Sequence, residues 1–136
     1  MRFMMLVIPT GYETAKPDQM PDADAVRKMM KYNEDLANAG VLLALEGLKP
    51  PSAGARISYA GGTPKVTDGP FAEAKECIGG YWMIQVKSKE EAIEWAKRAP
   101  MPDGETIEVR QVQEIEDFPA DVRAAASGFE DLMGKR

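Results

Sequence analysis

Residues 2–9 read RFMMLVIP, an apolar run that stops abruptly at Pro9 and Gly11. Apolar and β-branched residues bounded by Pro and Gly predict a first β-strand from Arg2 to Pro9. Successive side chains of a strand point to opposite faces. Both faces are apolar here, with Phe3, Met5 and Val7 on one and Met4, Leu6 and Ile8 on the other. We therefore expect a strand that is covered on both sides.

The rest of the chain alternates between helical and extended patterns. Apolar residues at helical spacing predict helices over Asp22–Asn38, Ser88–Ala99 and Pro119–Met133. Extended apolar runs predict strands over Val41–Leu45, Ile78–Val86 and Glu105–Ile115, and a hairpin of Arg56–Ala60 with Pro64–Thr67 around Gly61 and Gly62. This order predicts an α+β fold of the ferredoxin-like βαββαβ type, with an inserted β-hairpin and a C-terminal helix.

Two helices cover only one face of a four-stranded sheet, so the second apolar face needs another partner. We expect a homodimer in which two sheets pack face to face, with a pocket between them. The alternative is that the C-terminal helix covers this face, within its own chain or across to the partner.

Composition limits the class of protein. The 136 residues suit one domain, which we expect over 1–136, with a core of about 1–115 and a C-terminal helical extension of about 117–133. Apolar residues make up 44% and charged residues 29%, as in ordinary globular proteins. A net charge of −5 lacks the basic footprint of phosphate-backbone binding, so nucleic acid is not an expected partner.

The absence of His excludes Ser-His-Asp triads and the usual His-containing zinc sites. A single Cys cannot form an internal disulfide, which agrees with a cytoplasmic location. The N-terminal apolar run is too short for a membrane span or an export signal, so no membrane partner is expected. No cofactor is predicted, since the glycine pairs lack the spacing of phosphate-binding loops. No metal site is predicted, since the sequence has no Asp-x-Asp-x-Asp-Gly loop that would hold Mg²⁺ or Ca²⁺.

One motif carries a resemblance to a known family. Residues 67–73 read TDGPFAE, Lys75 and Glu76 follow, and residues 78–82 read IGGYW. These stretches resemble the YCII-related family, specifically its DGPF branch. The resemblance implies a ferredoxin-like fold that dimerises into an α+β barrel, and a biochemical activity that is largely unassigned. Relatives often carry His where this chain has Lys49, so a His-dependent proton transfer does not carry over.

Asp68 is the candidate catalytic residue. Gly69, Pro70 and Phe71 would fix the loop around it, and a held carboxylate can act as a general acid or base. The alternative is that Asp68 accepts hydrogen bonds from its own turn. Glu73, which stands three residues before Glu76, is a candidate ligand-binding carboxylate, although such charges are more often solvated surface groups.

Four further residues are candidate ligand contacts. Lys49 and Arg110 could bind an anionic group, with a plain surface role as the alternative. Phe71 could anchor the loop, and Tyr81 could line a cavity on the sheet's second face or seal a dimer. Cys77 has no activating neighbour in the sequence and is predicted to be a small core residue.

Two classes of function follow. The first is a cofactor-free enzyme or binder that acts on a small organic molecule at the dimer barrel, with Asp68 as acid or base. The second is a non-catalytic dimeric module that senses a metabolite or binds another protein.

Overall fold

A computed structural model describes residues 1–18, 20–71 and 76–133. The strands are β1 (Arg2–Ile8), β2 (Leu42–Gly47), β3 (Ala55–Ala60), β4 (Thr63–Asp68), β5 (Gly80–Gln85) and β6 (Thr106–Gln111). The helices are α1 (Ala23–Asn38), α2 (Lys89–Lys97), α3 (Ala120–Ala125) and α4 (Phe129–Met133). No helix within these ranges is long and apolar enough to cross a bilayer.

The main sheet has four antiparallel strands in the order β2-β5-β1-β6. With the inserted β3–β4 hairpin set aside, this order places the first strand next to the third and the fourth, as a ferredoxin-like βαββαβ chain requires. The α+β, ferredoxin-like prediction is therefore confirmed, and the dimeric barrel stays a prediction.

The core lies between this sheet and helices α1 and α2. Its buried side chains are Phe3 and Met5 of β1, Trp82 and Ile84 of β5, Tyr32 and Leu36 of α1, and Ala92 and Trp95 of α2. Two aromatic rings meet edge to face at its centre, where Tyr32 and Trp82 have centroids 5.2 Å apart.

Helix boundaries follow the capping residues in the sequence. The Asp22 carboxylate accepts a hydrogen bond from Ala25 N at 3.2 Å at the start of α1. Ser88 Oγ accepts one from Glu91 N at 3.1 Å at the start of α2. Each cap satisfies a backbone N–H that has no partner inside its helix.

The inserted hairpin is present, as the Gly61-Gly62 pair predicted, and it forms a two-stranded sheet separate from the main one. Both glycines have positive φ angles, 59° and 81°, which a tight two-residue turn needs. All residues of β3 and β4 are exposed, including Ile57, Tyr59 and Val66. The hairpin is thus an arm that does not extend the main sheet.

The face of the main sheet opposite the helices carries a central apolar patch. Strand register aligns Leu6 with Tyr81 and Met4 with Met83, and all four side chains are half-buried. Charged residues lie beside them on β6, where Glu108 pairs with Leu6 and Arg110 with Met4. We call Met4, Leu6, Tyr81 and Met83 the open-face patch.

Two predicted boundaries at the C-terminal end are wrong. The single helix from Pro119 to Met133 is divided into α3 and α4, because Gly128 adopts a φ of 91° that ends a helical path. The last strand ends at Gln111, because Glu114 and Asp117 form a reciprocal cap on the 3₁₀ turn Ile115–Asp117. Every residue of α3 is exposed.

Candidate functional site

Loops from three parts of the chain meet at one end of the main sheet. The first follows β1 and the second follows β2. Two hydrogen bonds join the loop after β1 to the loop after β2. The Tyr12 hydroxyl donates to the Leu48 carbonyl, and Ser52 Oγ donates to the Ala15 carbonyl at 2.8 Å. Burial raises the pKa of Tyr12 above its ordinary value, which already keeps the hydroxyl protonated at neutral pH.

The DGPF segment joins this assembly at the base of the hairpin. Gly69 N donates a hydrogen bond to the Gly54 carbonyl at 2.9 Å. A Cβ atom on Gly69 would lie 1.6 Å from the Pro51 carbonyl oxygen, so the two backbones approach as only glycine permits. The glycine of the motif is therefore required for packing.

The second glycine motif, Gly79-Gly80, serves the same purpose. A Cβ atom on Gly79 would lie 2.8 Å from Pro9 Cγ, and one on Gly80 would lie 2.7 Å from the Glu46 carbonyl oxygen. Gly79 also donates a hydrogen bond to the Val7 carbonyl at 2.8 Å. These contacts hold the start of β5 against the ends of β1 and β2.

A cavity of about 480 Å³ opens between these loops. We call it the motif cavity. Its wall consists of Leu48, Lys49, Pro50, Pro51, Ala53, Gly54, Arg56, Phe71, Glu76, Cys77 and Ile78. A mostly apolar wall with a few polar groups, at this volume, is typical of sites for small organic ligands.

Charged and aromatic groups are arranged together in this cavity. The Arg56 guanidinium lies over the Phe71 ring, with its central carbon 4.3 Å from the ring centroid, a cation–π contact. Lys49 contributes a second cation and Glu76 a carboxylate. Lys49 also borders a neighbouring cavity of about 440 Å³ that includes Tyr12.

Cys77 is buried, with 7% of its surface exposed, and it carries a free thiol. The sequence predicted a small core residue. It is buried as expected, but it lines the motif cavity and lies outside the main core cluster.

The structure brings some of the predicted site residues together and separates others. Lys49 and Phe71 share the motif cavity. Asp68 ends β4 opposite Ala55, is exposed, and is not part of the cavity wall. No described residue donates a hydrogen bond to the Asp68 carboxylate, and residues 72–75 after the turn lie outside the described ranges, so turn capping stays an alternative. Glu73 lies outside the described residues.

Tyr81 and Arg110 lie elsewhere. Tyr81 belongs to the open-face patch and borders a smaller cavity of about 170 Å³. Arg110 is exposed and donates a hydrogen bond to Glu108 at 3.1 Å. Within one chain, Arg110 pairs with Met4 near the middle of β1 and lines neither of the two cavities that Lys49 borders. A single-chain site therefore does not combine the two cations.

Arg56 and the loop of Pro50–Gly54 are the site components that the sequence did not indicate. Arg56 stands in an exposed strand of mixed polarity, and no local pattern distinguishes it from a surface residue. Only its position over Phe71, on the other side of the hairpin, reveals its place in the cavity. Among the described residues there is no cluster of acidic or sulfur side chains able to hold a metal ion.

One protein-family model matches most of the chain. Residues 1–116 match the YCII-related domain. An uncharacterised protein of Rhizobium meliloti (strain 1021) is 38% identical over 78 residues, which are 57% of this chain and 58% of that protein. The chain thus spans less than two-thirds of this relative.

Proposed function

The chain belongs to the family of YCII-related domains, and we propose that it binds a small organic molecule in the motif cavity. One observation carries the proposal: a single cavity with a largely apolar wall is lined by four side chains of different chemistry, namely Lys49, Arg56, Phe71 and Cys77. Concave sites of this volume, apolar with few polar groups, are the usual sites of small ligands.

Asp68 is proposed as the acid or base if the bound molecule is also converted. It directly precedes Gly69, whose backbone is held against Pro51, so the start of the motif has a defined position beside the cavity loops. No cofactor is included in this proposal. The free thiol and the net charge of −5 support a cytoplasmic protein that does not bind nucleic acid.

A thermal-shift screen of purified protein against small organic acids, amides and amines tests the binding proposal. A ligand at 100 times its Kd adds about 2.7 kcal/mol of stability, which corresponds to a shift of several degrees in a domain of this size. Phe71→Ala removes one wall of the cavity, so the shift should decrease. Tyr59→Ala, which removes an exposed aromatic ring of the same hairpin, should leave it unchanged.

Two results would contradict the proposal: no compound shifts the wild-type protein, or Phe71→Ala and Tyr59→Ala respond alike. For any compound that binds, turnover is then compared between the wild type and Asp68→Asn. Retained binding with lost turnover supports Asp68 as acid or base. Unchanged turnover eliminates that role.

The second candidate function is a non-catalytic dimeric module, and the open-face patch favours it. Half-buried apolar side chains at the centre of a sheet are typical of surfaces that pack against a partner. We propose a second copy of this chain as that partner, with the two sheets face to face. The two functions are compatible, since the motif cavity lies at the loop end of the sheet.

Light scattering during size-exclusion chromatography measures the dimer directly. Leu6→Lys should give a monomer, because it places a charge in the patch, while Glu108 opposite it on β6 can pair with the new lysine within the folded chain. Ser58→Lys, on the exposed hairpin, is the matched control. A monomeric wild type refutes the homodimer, and a Leu6→Lys protein that remains folded and dimeric refutes the open-face patch as its interface.

A further inference from the structure

We infer that the motif cavity selects a small organic carboxylate, with its charge bound by Lys49 and Arg56 and its apolar body against the proline and phenylalanine wall. This inference rests on the proposed function above and adds the chemical class of the ligand.

The local charge of the cavity differs in sign from that of the whole protein. The chain carries a net charge of −5, whereas the described residues of the cavity wall include two cations, Lys49 and Arg56, and one carboxylate, Glu76. Neither Lys49 nor Arg56 forms an ion pair with a described residue. A concave site with excess positive charge and low-polarity walls concentrates anions.

The position of Arg56 suits carboxylate recognition. Its guanidinium group lies over the face of Phe71, with the central carbon 4.3 Å from the ring centroid, and this contact restricts where the group can move. A guanidinium edge binds a carboxylate through two parallel N–H···O bonds, and the flexible Lys49 ammonium adds a point charge. The two cations are thus complementary in geometry.

The remainder of the wall determines what kind of anion fits. Pro50, Pro51, Phe71 and Ile78 present apolar surface around the cations. An inorganic anion would leave this surface without contacts, whereas an organic acid with a compact hydrocarbon or aromatic body would bury it. The cavity therefore favours an amphipathic monoanion such as an aromatic carboxylate.

Cys77 provides a built-in reporter, because it is the only cysteine of the chain and it lines the cavity. Two disulfide reagents differ in charge: 5,5′-dithiobis(2-nitrobenzoate) is anionic and 4,4′-dithiodipyridine is neutral. In both reactions the Cys77 thiol loses its proton to solvent and its sulfur attacks the reagent. A protein–reagent disulfide forms, the reagent S–S bond breaks, and the other half leaves with the electron pair.

The measured quantity is the ratio of the two labelling rates in folded protein at low salt. Lys49→Gln and Arg56→Gln should each lower the anionic-to-neutral ratio about fivefold or more, since each removes one of two cations from the cavity. Lys65→Gln removes the same charge from a hairpin lysine outside the wall and should leave the ratio within about twofold. Benzoate should slow the neutral reagent at lower concentration than its neutral isostere benzamide does.

The outcomes separate this inference from the proposed function. If no small molecule slows the neutral reagent, the cavity is not a ligand site and both fail. If benzoate and benzamide protect Cys77 equally, or if the rate ratio is the same in Lys49→Gln, Arg56→Gln and Lys65→Gln, the cavity binds ligands without preferring anions. The inference is then overturned while the proposed function stands.

Discussion

Replacing Gly69 by alanine tests whether the DGPF motif is needed to hold the hairpin against the loop after β2. The new methyl group would lie 1.6 Å from the Pro51 carbonyl oxygen and 2.5 Å from its carbonyl carbon. Both are backbone atoms, so no side-chain rotation relieves the overlap. One of the two segments has to move, and the hydrogen bond from Gly69 N to the Gly54 carbonyl is lost with it.

The size of the effect follows from these two contributions. Overpacking costs about 1–3 kcal/mol and a lost hydrogen bond about 1 kcal/mol, so the local junction is destabilised by about 2–4 kcal/mol. The hairpin does not pack into the main core, which lets the junction open while the sheet and helices stay folded. The free energy of global unfolding should therefore fall by less than this local cost.

Two measurements check this reasoning. Labelling of Cys77 by 4,4′-dithiodipyridine should accelerate at least tenfold in Gly69→Ala, because about 2–4 kcal/mol of local destabilisation raises the population of the open junction at least that much. Denaturation followed by the fluorescence of Trp82 and Trp95, both in the core, should show a smaller change.

Gly54→Ala is the matched control, since a Cβ atom there has its nearest neighbour at 3.7 Å, an ordinary contact. Equal labelling rates in Gly69→Ala and Gly54→Ala would refute the steric argument.

Three further predictions concern the folded core and its boundaries. Burial raises the pKa of Tyr32 to about 12, and its hydroxyl donates a hydrogen bond to the Trp95 carbonyl at 2.6 Å. Tyr32→Phe should therefore remove the ultraviolet titration step near pH 12 and lower the free energy of unfolding in urea by about 1–2 kcal/mol. A titration step that persists in the variant would contradict the assignment to Tyr32. The hydrogen bond and charge of Arg2 lower the pKa of Glu114, so the stability from this partly exposed pair is present above the ordinary carboxyl pKa and is lost as pH falls through the lowered one. Glu114→Gln should therefore lower the free energy of unfolding by up to about 1 kcal/mol at pH 7, and by nothing at a pH where Glu114 is protonated in both the folded and the unfolded protein. A difference between wild type and variant that does not change with pH would contradict this. Ser88→Ala should destabilise the protein by about 1 kcal/mol through loss of the α2 cap, whereas Ser88→Asp, which retains an acceptor, should not.

The local elements were predictable because each depends on residues close in sequence. The helices predicted from Asp22 and from Ser88 begin at those residues, because each side chain accepts a hydrogen bond from a backbone N–H in the first turn. The prediction of a single C-terminal helix was wrong for an equally local reason, since the left-handed conformation of Gly128 outweighed the helical spacing of the apolar residues around it.

The candidate site was predictable only in part. Lys49 and Phe71 were predicted separately, one as a possible anion contact and the other as a loop anchor, and the structure places both in the wall of one cavity. Arg56 was missed, since its place depends on a contact across the hairpin with Phe71, fifteen positions away in the sequence. Asp68 was selected from its motif, yet the sequence could not indicate that the same motif places its glycine against Pro51.

The sequence by itself therefore determined the order of strands and helices, the inserted hairpin and the absence of histidine chemistry. Periodicity, turn residues and composition act over short distances or over the whole chain at once. Only the tertiary structure decided which loops meet, that Gly69, Gly79 and Gly80 allow close backbone approach, and that two cations, an aromatic ring and the thiol share one cavity. Those features depend on distances between segments far apart in the chain, which no local pattern encodes.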